Sequence, residues 1–189
     1  KSLYVLLKRI RLAHPKVEIE SCSSGGGRID YGILENTQRV WLSDSNDAIE
    51  RLRIQHEAIL WLRTSITGSH VGPQVCHTSG RELPLVFRAW VAAQRHMGFE
   101  MDPRELSLSD KALLKAVTNW WKENREWMKD ANILRLPCVD KSITAEIQIN
   151  SSENHFVVFA GQNAMSEFSS PVPLVLSGLD SMAMYNVSL

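Results

Sequence analysis

The sequence predicts an α/β part followed by a small β-sandwich part, and three observations predict it. Helical and strand-like segments alternate from the first residue to about residue 130. A long amphipathic helix then puts Leu113, Val117, Trp120 and Trp127 on one face. Beyond it only strand-like runs occur, separated by Ser, Asn and Gly turns.

Each element has its own warrant. Leu3, Leu6, Leu7 and Ile10 recur at spacings of three and four among Lys8, Arg9 and Arg11, which predicts a helix over residues 1–14 that His14-Pro15 ends. Residues 17–22 are β-compatible and run straight into Ser23-Ser24-Gly25-Gly26-Gly27, a strand feeding a flexible loop. A looser stretch follows. Residues 39–42 are again strand-like and lead to Ser43-Asp44-Ser45-Asn46-Asp47, a polar cluster standing where a helix starts. Ala48, Leu52, Ile59 and Leu62 keep helical spacing over residues 47–62. Residues 66–71 read as a short strand, and residues 85–97 are apolar enough to be a buried helix or to include a strand. Ser109 is the expected cap of the long helix, which should end near Lys129. Strands are then expected at residues 133–136, 144–149, 156–160 and 173–176, placing a domain boundary near residue 131, with parts 1–131 and 132–189.

Composition narrows the function. The 189 residues, 44% of them apolar, can build one ordinary domain, or one and a fraction. Twenty-one basic residues balance 21 acidic ones, so no electrostatic reason exists to bind nucleic acid or an anionic membrane. No apolar run approaches the ~18 residues that suggest a membrane span. Cys22, Cys76 and Cys138 lie far apart with no CxxC pair, which favours a reducing compartment and a cytoplasmic setting. The chain starts at Lys1 with a helix rather than a signal peptide, and is expected to begin within something larger.

Two clusters carry chemical interest. Three successive glycines at Gly25, Gly26 and Gly27 let backbone approach a ligand closely, although a linker explains them equally well. They lack the Lys-Ser/Thr of a phosphate-binding P-loop and the spacing of a dinucleotide fingerprint. In Ser43-Asp44-Ser45-Asn46-Asp47 a helix cap needs one side chain, yet two carboxylates crowd the end of a strand, where barrel enzymes place catalytic groups. A calcium loop does not fit, since the sixth-position Gly and twelfth-position Glu are absent. His56-Glu57 starts the zinc motif HExxH, but position 60 is Leu60, so no metal site is expected. His70 and His77 fall in a loop after a candidate strand. Most of the six tryptophans belong to the core by spacing, with Trp41 the exception that could meet a sugar.

Glu20-Ser-Cys22-Ser-Ser-Gly25-Gly-Gly-Arg28, then Asp30 and Gly32, Trp41-Leu-Ser43-Asp44-Ser-Asn-Asp47-Ala and Arg51-Leu-Arg-Ile54-Gln55 together resemble the bacterial α-galactosidases called melibiases, glycoside hydrolase family 36. The resemblance continues through Gly68-Ser-His70-Val-Gly, His77-Thr-Ser-Gly80-Arg81, Phe87-Arg88-Ala89 and Gly98-Phe-Glu100-Met-Asp102, covering essentially the whole chain. It implies the C-terminal part of a (β/α)8 TIM barrel followed by a small antiparallel β-sandwich, shortened by the end at Leu189. It also implies a retaining hydrolase of melibiose- and raffinose-type galactosides with no cofactor and no metal, and a homo-oligomer, a tetramer, in the full-length enzyme. By resemblance Asp44 is the acid/base; Cys22, Ser24, Gly25, Gly26 and Trp41 bind galactose; and Arg28 and Asp47 support them. The family's nucleophile lies in a Lys-Trp-Asp motif that residues 1–189 do not contain, so the chain is expected to be a fragment, inactive by itself. Departures are Ser45-Asn46 where relatives read Asn-Thr, His56-Glu57 where a small residue is usual, and residues 62–65 in place of an apolar, Pro-containing stretch. A non-catalytic carbohydrate-binding protein and a transglycosylase making raffinose-type oligosaccharides are the alternative readings.

Overall fold

The computed structural model describes residues 2–152 and 154–188. Helix α1 covers Ser2–Ala13 and stops short of Pro15; Lys1, its expected first residue, lies outside the described residues, as does Leu189. Strands β1 (Glu20–Ser21), β2 (Arg39–Trp41), β3 (Thr67–Val71) and β4 (His96–Phe99) form one sheet in that order, every pair parallel. Parallel neighbours need a crossover, and the chain supplies α2 (Tyr31–Leu34), α3 (Ala48–Ala58) and α4 (Leu85–Ala93) between them, with α5 (Leu108–Met128) after β4.

Five expectations change in this part. The helix expected over residues 47–62 ends at Ala58, leaving Ile59 and Leu62 in the turn that follows. The strand at residues 17–22 shrinks to two residues, because the Ile19 N–H donates to the Gln38 side chain (2.8 Å) rather than to a strand neighbour. The looser stretch contains α2, capped by Asp30, whose carboxylate accepts the Ile33 N–H at 2.7 Å. Residues 85–97 hold both a helix and a strand, α4 and the start of β4. The cap of α5 is Ser107, not Ser109: the Ser107 hydroxyl accepts the Asp110 N–H and the Asp110 carboxylate accepts the Ser107 N–H, each at 3.1 Å. That reciprocal box satisfies two otherwise orphaned donors, which Ser109 cannot do.

Side-chain alternation gives the parallel sheet two distinct faces. Val71 and Met97 pack with Ala89, Ala92 and Ala93 of α4 and Leu114, Val117 and Trp121 of α5. The opposite face carries Trp41, Gly68, His70 and Gly98, and Gly98 lies directly across from His70 in register. A Cβ at Gly98 would stand 2.8 Å from the His70 Nε2, so the glycine leaves the imidazole its place.

The remaining strands, β5 (Asn132–Leu136), β6 (Ile143–Ile149) and β7 (Phe156–Gln162), form one antiparallel sheet with β6 central. Ala145, Ile147 and Ile149 form an apolar face with Leu136, Phe156 and Val158, while Glu146 and Gln148 point the other way, towards the parallel part. There Arg95 holds the Glu146 carboxylate through two hydrogen bonds of 2.6 and 2.8 Å. Gly161 lets Leu52 of α3 approach β7, where a Cβ would stand only 2.5 Å from a Leu52 methyl. The expected strand at residues 173–176 is absent, and with it the second sheet of a sandwich among the described residues. Pro171 and Pro173 remove backbone donors, so this segment cannot extend a ladder. It lies over the apolar face instead, through Leu174 and Leu179.

Candidate active site

The loop after β1 and the loop after β2 meet at the C-terminal edge of the parallel sheet, and glycine is what lets them meet. Ser24 and Gly25 both have positive φ, 49° and 66°, so the loop turns back and the Ser23 N–H donates to the Gly25 carbonyl at 3.1 Å. A Cβ on Gly25 would lie 2.8 Å from both the Asp44 nitrogen and the Ser43 Cα, and one on Gly26 would lie 2.6 Å from the Leu42 carbonyl oxygen. Only bare backbone fits against the segment carrying Asp44. The Cys22 thiol at the base of this loop is 3.7 Å from the Asp44 Oδ1, a sulfur-donor hydrogen bond, and both residues are exposed.

The structure also divides the labour of the two carboxylates. Asp47 caps α3: its Oδ1 accepts the Ile49 and Glu50 N–H groups at 2.9 and 3.3 Å. Its Oδ2 accepts the Ser79 hydroxyl at 2.6 Å and the Arg81 guanidinium, tying the loop after β3 to this helix end. Burial pushes the Asp47 carboxyl up, but Ser79, the two backbone amides and Arg81 together outweigh burial and hold it below the usual carboxylate range. Asp44 does none of this. Its carboxyl caps no helix and stays open to solvent at the loop rim.

Other expected residues fall in different places. Trp41, read as a possible sugar platform, is only 7% exposed, with the His70 imidazole and the Arg51 guanidinium each 4.3 Å from the centre of its ring. Ser24 is exposed beside Gly25, and Arg28 is exposed with no hydrogen bond or ion pair among the described residues. His70 bonds through Nδ1 to Glu100 at 3.1 Å, and His77 is exposed. Burial raises the Glu100 carboxyl, but Asn46 and His70 outweigh it and keep the group below its ordinary value. His56 and Glu57 sit far from this rim, holding Arg135 of β5.

Sequence reasoning gave no role to Arg51, Ser79, Arg81 or Glu100. One signal was available for Arg51: it stands near the positive end of α3, where a cation is electrostatically misplaced unless something else needs it. Among the described residues no cluster of three or more His, Cys, Asp or Glu could hold a metal ion, and no helix is long and apolar enough to cross a membrane.

Residues 1–131 match the Melibiase family model. The chain is 32% identical over 187 residues to an α-galactosidase of Escherichia coli, covering 99% of this chain and 26% of that protein. Against the α-galactosidase AgaA of Geobacillus stearothermophilus it is 31% identical over 186 residues, 98% of this chain and 26% of the relative. The crystal structure of an AgaA variant with 1-deoxygalactonojirimycin aligns with a TM-score of 0.89 at 31% identity, covering 95% of this chain and 25% of that one. A second AgaA variant, solved with raffinose, aligns with a TM-score of 0.88 at 30% identity over the same shares. The chain thus spans about a quarter of the length of these relatives. With the family match over more than half of its length, the chain belongs to the melibiase family.

Proposed function

We propose that this chain is the acid/base-bearing portion of a retaining α-galactosidase, with residues 1–131 forming the C-terminal part of a (β/α)8 barrel and residues 132–189 belonging to a β-sandwich. Consecutive parallel strands joined by helices support the barrel reading, as do the relatives solved with raffinose and with 1-deoxygalactonojirimycin. One observation carries the catalytic reading. Of two neighbouring carboxylates at the end of β2, Asp47 is consumed as a buried helix cap while Asp44 is left open beside the glycine loop and the Cys22 thiol.

The chemistry follows from that placement. As an acid, Asp44 protonates the oxygen leaving the anomeric carbon; as a carboxylate, it then removes a proton from the water that hydrolyses the glycosyl-enzyme. The carboxylate that forms the covalent bond comes from outside residues 1–189, which contain no Lys-Trp-Asp. Cys22, Ser24 and Gly26 line the sugar's path with small groups and backbone, Gly25 is buried behind them against the Ser43–Asp44 peptide, and Trp41 supports this rim from below. Asp47 holds the loops in place, and Arg28, without a hydrogen bond or ion pair among the described residues, is available to the sugar or to the rest of the enzyme. Three free thiols fit a cytoplasmic enzyme.

The test is Asp44→Asn in the full-length enzyme that contains these residues. Turnover of melibiose, whose leaving sugar needs a proton, should fall by ~10²–10⁴-fold, and an aryl α-galactoside with an acidic phenol should retain far more of its kcat/KM. Near-normal melibiose hydrolysis by the variant refutes the assignment.

A further inference from the structure

Arg51 projects from α3 and is 1% exposed, yet among the described residues it forms no ion pair. Its hydrogen bonds go to two main-chain carbonyls, one in the loop just past β2 and one within β3: Nη1 donates to Ser43 O at 3.1 Å and Nη2 to Gly68 O at 2.6 Å. Its guanidinium also lies over the Trp41 ring at 4.3 Å. The Ser43 carbonyl belongs to the peptide unit whose nitrogen is that of Asp44, and a peptide unit is planar and rigid. Gly25 presses on the same peptide, at a distance that excludes even a methyl group. The peptide bearing Asp44 is therefore gripped by the guanidinium through its oxygen and by the glycine loop at its nitrogen.

A buried guanidinium without a carboxylate is an expensive way to hold a loop against a strand, since an apolar side chain of similar volume would pack there without desolvating a charge. Burial and the like charge of Arg95 lower the Arg51 guanidinium to about 10, the signature of a cation kept where it is not electrostatically welcome. What the apolar substitute could not do is fix the direction of a loop carbonyl and a strand carbonyl at once, a task for a planar fork of donors.

We infer that Arg51 is a positioning residue for the acid/base, aiming the Asp44 carboxyl by clamping the Ser43 carbonyl to β3 and to the face of Trp41. This rests on the reading of Asp44 given above. It makes Arg51 matter most where proton delivery matters most.

The experiment uses Arg51→Met and Arg51→Lys in the full-length enzyme, compared with Asp44→Asn, on melibiose and on a dinitrophenyl α-galactoside. The lysine keeps the cation and the stem but offers one ammonium where two carbonyls need a fork. Both variants should lose roughly 10–100-fold in kcat/KM on melibiose, the scale of a misaimed catalytic group. On the activated galactoside, which departs with little help from an acid, the loss should stay below about threefold. Equal losses on both substrates, no loss on either, or failure of both variants to fold would each overturn the positioning role in favour of a structural one. If Arg51→Met alone fails to fold, Arg51→Lys decides. The two readings separate cleanly. Absence of leaving-group dependence in Asp44→Asn removes the acid/base assignment, whereas its presence there and absence in both Arg51 variants removes only the role of Arg51.

Discussion

Glu146→Gln is the sharpest probe of how the antiparallel sheet is fastened to the parallel part. Glu146 is 2% exposed and Arg95 3%, and the pair is bidentate, with Arg95 Nη1 and Nη2 at 2.6 and 2.8 Å from the two carboxylate oxygens. The same guanidinium also donates to the carbonyls of Gln94 and Gln55, and Gln148 donates to Glu146 Oε1 at 2.8 Å. The amide variant keeps the shape but strands a buried cation, a loss of about 3–5 kcal/mol. For a chain of this length that corresponds to a fall in melting temperature of about 6–20 °C. Burial pushes the Glu146 carboxyl up, but Arg95, followed by Gln148 and His56, outweighs it and holds the group below its ordinary value. A depressed carboxylate stabilises the fold above the unfolded value, ~4.3, and that contribution is lost as pH falls through the lower folded value. Urea unfolding followed by tryptophan fluorescence at pH 7 and at pH 3 reads both effects, and the gap between wild type and variant should narrow at the acid end. Replacing both partners, Arg95→Met with Glu146→Leu, should recover most of the loss. A single-variant loss below about 1 kcal/mol, well under the range for a stranded buried charge, would refute the reasoning.

Three further outcomes follow from the site and the sheet junction. Gly25→Ala should abolish most activity, because the new methyl would stand 2.8 Å from the Asp44 nitrogen at a φ of +66°; thermal melting should show a loss of roughly 1–2 kcal/mol beyond any steric shift. Asp47→Ala should destabilise by about 1–2 kcal/mol as a lost cap alone, and wild-type stability should weaken in acid as pH falls through the depressed Asp47 value, whereas the variant lacks that component in a urea series across pH. His56 accepts the Arg135 Nε–H at 2.8 Å, and burial first and Arg135 second lower its pKa, so its contribution is present above the ordinary histidine value and lost as pH falls through the folded one. Arg135→Met should therefore raise the His56 value in an NMR titration, and an unchanged titration would contradict the contact.

The elements legible in the sequence are those whose signal is local. α1, α3 and α5 show several turns of periodicity, and β6 alternates buried apolar and polar side chains. α2 is invisible because four residues contain no period. Residues 173–176 have strand-like composition, but Val and Leu report only apolarity; whether a strand forms depends on backbone partners, which the neighbouring prolines deny. The surplus of carboxylates at Asp44 and Asp47 was readable, yet which of them caps α3 depends on the turn geometry and on Ser79 and Arg81, more than thirty residues away. Trp41 illustrates the same limit: its type suggests a sugar platform, while its neighbours His70 and Arg51 make it a packed support. Arg51, finally, acts through carbonyl oxygens, groups every residue possesses and no motif can display.

The most direct test of the central claim is chemical rescue of the full-length Asp44→Asn enzyme by azide on an activated aryl α-galactoside. Azide needs no general base, so it should attack the glycosyl-enzyme where water cannot, restoring turnover and yielding galactosyl azide of α configuration, identified by NMR. Failure of azide to accelerate the variant, or a product of β configuration, would contradict Asp44 as the acid/base of a retaining enzyme.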